Sequence, residues 1–363
     1  MFKIVAVFGR SLRELDLIWA IGKNGAMRAY QILSDTGLDG LKQVDLPEPT
    51  LKPDQVRVRV RAVSLNYRDH LIVSGNYRSG GKLPLIPLSD GAGEVLEVGE
   101  NVTEWKVGDR VAGCFFQDWE SGSYLSTVGE SALGGAIDGM FAEQVVLHER
   151  GLVAVPDHLN YEEAATLPCA ALTAWHALVT KGRVNADETV LLLGTGGVSV
   201  FGLLFAKMHG ARAIITSSSD EKLERAKQLG ADHCINYRSH PDWEKEVLKV
   251  TDGEGVHHAL EVGGQDTFPK TLQSLGPNGR MSIIGGVSGF SGAFDFGEMI
   301  ARMGVIQGIF VGSREMFAAM NRAISRNKLK PWVDRVFPFE EAAEAYRHLE
   351  SGAHFGKIVI ALP

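Results

Sequence analysis

The 363 residues carry 37 basic and 44 acidic side chains for a net charge of −7, with 45% hydrophobic and 22% charged residues. That balance fits a globular chain of about two domains. No basic tract interleaved with aromatics points to nucleic acid as a partner, and no apolar run reaches the ~18 residues of a membrane span. Cys114, Cys169 and Cys234 are widely spaced, give no disulfide framework, and fit a reducing cytoplasm.

Residues 1–26 open with one lysine and a short apolar run that Arg10, Arg13, Glu14 and Asp16 break, a poor signal peptide. They read as an N-terminal extension, or else as a small extra strand and helix, with the main body starting at Met27. Gln55–Val63 alternates with period two and predicts a half-buried strand with a basic outer face. Gly93–Gly99 and Gly108–Gly113 predict short strands bounded by glycine, and Gly139–Leu147 a further one. Together these segments predict a compact, β-rich, partly barrel-like unit.

From Leu172 to Gly308 the pattern changes. Strands are predicted at Val190–Leu193, Ala213–Thr216, His258–Val262 and Arg280–Ile284, with helices between them such as Glu221–Leu229. This alternation predicts a parallel sheet covered on both faces. Val305–Val311 reads as an apolar edge strand, which needs a partner. A helix over Arg314–Arg326, the segment Phe339–Leu349 and a strand over Lys357–Leu362 are expected to return to the first unit.

The run Thr189–Ser199 concentrates the chemistry. A buried strand runs into Gly194, Gly196 and Gly197, and an apolar helix from Val198 to Met208 follows. Glycines admit a phosphate close to the backbone, and the helix N-terminus offers free N–H groups and a positive dipole end. The third glycine position of the pattern holds Ser199, small enough for close helix–strand packing. The end of the next strand discriminates between the nicotinamide cofactors. An acidic residue there binds the ribose 2′-hydroxyl of NAD, whereas this chain has Ser217 and Ser218, with Lys222 a turn further on. Serine hydroxyls can donate to a 2′-phosphate, so the expected cofactor is NADP(H); the serines can equally cap the following helix. Asp220 and Glu221 are explained as first-turn residues that complement a helix dipole.

In order along the chain, Ser64-Leu-Asn-Tyr-Arg-Asp69, Pro87-Leu-Ser-Asp-Gly-Ala-Gly-Glu-Val95, Val107-Gly-Asp-Arg-Val111, Ala164-Ala-Thr-Leu-Pro168, Leu172-Thr-Ala-Trp175, the glycine turn, Lys222–Ala231 and Gly356-Lys-Ile-Val359 resemble the medium-chain dehydrogenase/reductase superfamily. The likeness is strongest to its zinc-independent branch of quinone oxidoreductases and enone reductases. It implies a GroES-like catalytic domain over 27–168 and 313–363, and a Rossmann NADP-binding domain over 169–312. It also implies a homodimer that pairs the Val305–Val311 edge across a two-fold axis. At the positions that hold catalytic zinc in the superfamily's alcohol dehydrogenases stand Asn66, Ser89 followed by Asp90, and Cys169. One thiol with an amide and a hydroxyl is a poor zinc set, so no metal is expected.

Among site residues, Asn66 matches an asparagine near the nicotinamide and can also cap the helix Tyr67–Val73. Tyr67 is the best nearby proton donor, or else a packing aromatic. Asp69 is expected to orient its neighbours. Leu71 stands where quinone reductases carry a tyrosine and zinc enzymes a relay histidine, a departure from both. The resemblance puts Thr173, Val198, Val262, Gly285 and Ile309 around the nicotinamide and the glycine turn. It puts Tyr237, Arg314 and Lys357 near the adenosine phosphate or pyrophosphate. The glycine- and serine-rich loop Gln117–Asp138, with Trp119, Tyr124 and Leu133, is a candidate substrate cover. His257 and His258, consecutive on a strand, should face opposite ways. The implied activity is hydride transfer from NADPH to a small quinone or α,β-unsaturated carbonyl. Metal-free alcohol–aldehyde interconversion and a non-catalytic NADPH-binding protein are the alternatives.

Overall fold

The computed structural model describes residues 25–77, 82–292 and 294–363; the extension expected before Met27 lies almost wholly outside them. The chain begins with a hairpin, β1 (Ala26–Ile32) and β2 (Leu41–Pro47). A mainly antiparallel sheet follows from β3 (Gln55–Leu65), β4 (Asp90–Val98), β5 (Arg110–Gly113), β6 (Gln144–His148) and β7 (Leu152–Ala154). On β3 the expected alternation holds: Val56, Val58 and Val60 are buried. The basic outer face is matched by acids on β4, with Arg57 opposite Glu97 and bonded to it at 2.9 Å. The strand expected over Gly139–Leu147 starts only at Gln144. Its first residues bond instead to the irregular segment before β4, Met140 N–H to Leu88 O at 2.7 Å, so they are held without a ladder.

The second sheet comprises β8 (Thr189–Leu192), β9 (Arg212–Ser217), β10 (His233–Asn236), β11 (Val256–Glu261), β12 (Leu275–Ile283) and β13 (Val305–Gly308). All pairs are parallel, in the order β10-β9-β8-β11-β12-β13. The order reverses between β8 and β11, and ligands of such sheets bind outside the strand ends at that reversal. The helix Gly197–Met208 packs tightly on this sheet: a Cβ on Gly202 would lie 2.7 Å from both Leu192 Cδ2 and Leu260 Cδ1. As expected from strand alternation, His257 is exposed while His258 is buried and bonds Glu188 at 3.0 Å.

After the helix Arg314–Asn327, β14 (Val333–Pro338) and β15 (Lys357–Ala361) rejoin the first sheet. β15 lies between β14 and β3, so this returning strand is central rather than peripheral. The architecture is a doubly wound parallel sheet beside a β-rich GroES-like unit. β13 is an edge strand, and beside it the helix Phe296–Arg302 leaves Phe296 and Ile300 exposed.

Candidate active site

A cleft of about 560 Å³ opens where the order of the parallel sheet reverses and runs toward β3 and β15. Its lining includes the glycine turn, the ends of β9 and β11, the start of the helix Tyr67–Val73 and the start of β15.

At the turn, the three glycines answer to three different constraints. Gly194 has φ +70°, a backbone state that glycine adopts without steric cost. A Cβ on Gly196 would meet nothing within 4 Å, so the space above it is open to a ligand. A Cβ on Gly197 would lie 2.7 Å from Lys357 Cδ and 3.1 Å from Ala170 Cβ. Ser199 Oγ donates to Leu193 O at 2.6 Å, so the serine braces the turn. Gly356 N–H donates to Thr195 O at 2.9 Å and ties the turn to β15.

Ser217, Ser218, Lys222 and Tyr237 line one end of the cleft together. Ser219 caps the following helix, accepting from Lys222 N–H at 3.4 Å, so Ser217 and Ser218 are not the helix cap. Asp220 and Glu221 are taken up by Asn236 and Arg225. Lys222 Nζ donates to Gly352 O, and burial lowers its pKa.

At the other end Asn66 precedes the short helix, and its N–H is accepted by Asp69 Oδ2 at 2.8 Å. Tyr67 lines the cleft and is 42% exposed. Asp69 is buried behind the wall rather than on it, and burial pushes its carboxyl up to about 6. Lys357 is 2% exposed; its Nζ donates to Leu65 O and to Asn66 Oδ1, each at 2.6 Å, and stands 3.8 Å from Asp90 Oδ2. The other Asp90 oxygen accepts from the Ser89 hydroxyl at 2.8 Å, and Oδ2 accepts from Cys169 N–H at 3.2 Å. Burial raises the Asp90 carboxyl, with Lys357 and Ser89 pulling against it. Burial also pushes the Cys169 thiol well up, so it stays protonated. Among the described residues, no three or more His, Cys, Asp or Glu side chains gather as a metal-binding group.

Thr173, Val198, Val262, Gly285 and Ile309, which the resemblance puts around the nicotinamide and the glycine turn, all line the cleft. Two expectations change. Arg314 is not on the cleft: its guanidinium bonds Leu152 O at 2.8 Å and pairs with Glu104, beside a separate surface groove. Lys357 lines the cleft, but its ammonium turns inward to Asn66 and Leu65, where carbonyl acceptors satisfy it, instead of toward the mouth of the turn. The loop Gln117–Asp138 contributes no residue to the cleft lining. Trp119 and Leu133 are buried, and Trp119 packs edge-on against Tyr124 and His176 as part of the core.

The structure adds residues that the sequence did not single out. Arg68 is buried on the cleft wall, 4.5 Å above the Phe115 ring, and donates to Leu133 O at 3.0 Å. Tyr77, Phe115 and Phe310 make the same end aromatic, and Phe290 also lines the cleft. Phe310 follows a residue already read as lining; the others carry no local signal.

Two family models match this chain: "alcohol dehydrogenase GroES-like domain" over residues 52–157 and "zinc-binding dehydrogenase" over residues 197–326. A zinc-type alcohol dehydrogenase-like protein of Schizosaccharomyces pombe is 44% identical over 90% of this chain and 96% of its own. The chain belongs to the medium-chain dehydrogenase/reductase superfamily. A solved NAD-dependent alcohol dehydrogenase is 36% identical, with TM-score 0.85 over 93% of this chain and 100% of that one. A quinone oxidoreductase of Pseudomonas syringae is 30% identical, with TM-score 0.79 over 92% and 99%. As a medium-chain dehydrogenase/reductase, the chain is an NAD(P)H-dependent oxidoreductase acting on small molecules. No helix among the described residues is long and apolar enough to cross a membrane.

Proposed function

We propose that this medium-chain dehydrogenase/reductase is a zinc-independent, NADPH-dependent reductase of small quinones or α,β-unsaturated carbonyls. The observation that carries the reading is the Lys357 ammonium lodged between Asn66, which stands at one metal position of the alcohol dehydrogenases, and Asp90, which follows another at Ser89. A buried cation there opposes a second one. The nearby donors do not fit zinc either: an amide oxygen bonded to lysine and a hydroxyl donated to a carboxylate leave Cys169 as a lone thiol.

The open space over Gly196 and the helix N-terminus behind it suit a pyrophosphate. Ser217, Ser218, Lys222 and Tyr237 offer donors and no carboxylate, which supports NADPH over NADH. When bound, the nicotinamide supplies the hydride. The aromatic end around Tyr77, Phe115 and Phe310 suits a flat conjugated acceptor and excludes water from it. The reduced acceptor then needs one proton on oxygen or carbon, and Tyr67, on the cleft wall and open to solvent, is the candidate donor. Thr173, Val262, Gly285 and Ile309 shape the nicotinamide end. We place the enzyme in the cytoplasm as a homodimer joined through β13. Metal-free alcohol–aldehyde interconversion is the second reading, favoured by the alcohol dehydrogenase relatives.

The test is oxidation of NADPH and of NADH by the purified enzyme against a panel of quinones, enones, aldehydes and alcohols, with metal analysis of the same sample. The expected result is NADPH-dependent reduction of quinones or enones with less than stoichiometric zinc. Stoichiometric zinc, or turnover confined to alcohols, refutes it.

A further inference from the structure

Lys357 opens β15, and its side chain crosses from the glycine turn to the opposite wall of the cleft. The stem lies over Gly197, where a Cβ would come within 2.7 Å of Cδ. The ammonium is buried and bonded to Leu65 O and Asn66 Oδ1, both at 2.6 Å. An ammonium only donates, so the atom of Asn66 that meets it must be the oxygen. This settles the orientation of an amide that is otherwise ambiguous. The oxygen is spent on Lys357, and only the NH₂ group of Asn66 is left to bond a ligand. Nδ2 is buried with no hydrogen bond among the described residues, and the Asp90 carboxylate is close by. Behind the ammonium, Asp90 is held facing it by the Ser89 hydroxyl and the Cys169 N–H. Without the lysine, a buried carboxylate would stand unopposed beside the same amide.

We propose that Lys357 is a positioning residue for hydride transfer: its ammonium locks the Asn66 amide as a donor and cancels the Asp90 charge. It transfers no proton itself. The hydride acceptor gains negative charge on its oxygen as the new C–H bond forms. A donor amide supports that charge, whereas an amide free to flip, over an unopposed carboxylate, works against it. This rests on the reading of the Asn66 end as the place of reduction.

The test uses the full chain with Lys357→Met, which keeps most of the stem, and Lys357→Ala, which leaves a space for a small amine. With the acceptor the wild type reduces fastest, Lys357→Met is expected to lower kcat on the order of 100-fold, with the Kd for NADPH changed less than about threefold. In Lys357→Ala, n-propylammonium should restore kcat saturably and raise Tm, and propan-1-ol should do neither. A kcat for Lys357→Met within about threefold of wild type overturns the proposal. So does an amine that raises Tm without restoring kcat, since the lysine would then be structural only. If the wild type reduces none of the acceptors, the proposed function falls by itself. Melting then tests the cation site on which the positioning role depends: if n-propylammonium does not stabilise Lys357→Ala, the inference is overturned as well.

Discussion

Gly197→Ala isolates why the third glycine of the turn is there. The new Cβ would sit 2.7 Å from Lys357 Cδ, 3.5 Å from its Cγ and 3.1 Å from Ala170 Cβ. The lysine stem cannot swing away freely, because its head is held by two 2.6 Å bonds. Overpacking of this kind costs about 1–3 kcal/mol, and replacing glycine by alanine in a helix returns at most about 1 kcal/mol. A net loss of roughly 1–2 kcal/mol is expected for the single variant. In a Lys357→Ala background Cγ and Cδ are gone, and only the milder approach to Ala170 remains. The two substitutions should therefore be non-additive, the double variant being more stable than the sum by about 1 kcal/mol or more. Urea unfolding of the four proteins, followed by circular dichroism, measures the cycle. Additivity within about 0.5 kcal/mol would refute the reasoning. Gly196→Ala is the contrast: with nothing within 4 Å of its Cβ, it should leave stability nearly unchanged and weaken NADPH binding instead.

Other outcomes follow from the same geometry. Ser217→Asp places a carboxylate at the end of β9 and should shift the kcat/KM ratio from NADPH toward NADH by tenfold or more, on the order of one opposing charge; an unchanged ratio argues against Ser217 as a specificity residue. Tyr67→Phe should slow turnover by roughly 100-fold or more if the phenol is the acid, with NADPH affinity intact, and equal rates reject that role. The Asp69 carboxyl, raised to about 6 by burial, holds its proton more tightly folded than unfolded. Its contribution favours the fold at low pH and is lost as pH rises from about 4 through 6. The stability of wild type relative to Asp69→Asn should thus fall by up to about 3 kcal/mol between pH 4 and 7.5, and a flat difference contradicts the shift. Light scattering should find twice the chain mass if β13 pairs across a two-fold axis, and a clean monomer would sink the dimer.

The parallel sheet was legible because its signals are local. A glycine turn between a buried strand and an apolar helix, then strands alternating with helices, mark it, although the four-residue edge strand β10 was not read. The antiparallel sheet was harder, since Gly139–Phe141 is held by bonds to a distant irregular segment that no alternation announces. At the site, residues whose backbone lines the cleft were found, because strand ends mark it. Long cations were misjudged: Arg314 and Lys357 each reach several bonds from the backbone, and burial and local acceptors decide where the charge ends up. Composition misled at Gln117–Asp138, where glycine and serine read as a substrate cover while Trp119 and Leu133 belong to the core. Arg68 was passed over between two more familiar candidates; its stacking on Phe115 brings together segments far apart in sequence.

The clasp between Lys357 and Asn66 spans 291 residues, and this separation bears on the order of folding. Neighbouring strands β8, β9 and β10 meet across short connections, so the parallel half can assemble early. The reacting end must wait for a loop closure of nearly the whole chain, because β15 has to insert between β14 and β3 before the ammonium reaches its acceptors. Long-range closures are slow relative to local ones. A refolding chain would therefore acquire its nucleotide cradle before it acquires a competent reaction centre, and cofactor binding would return ahead of turnover.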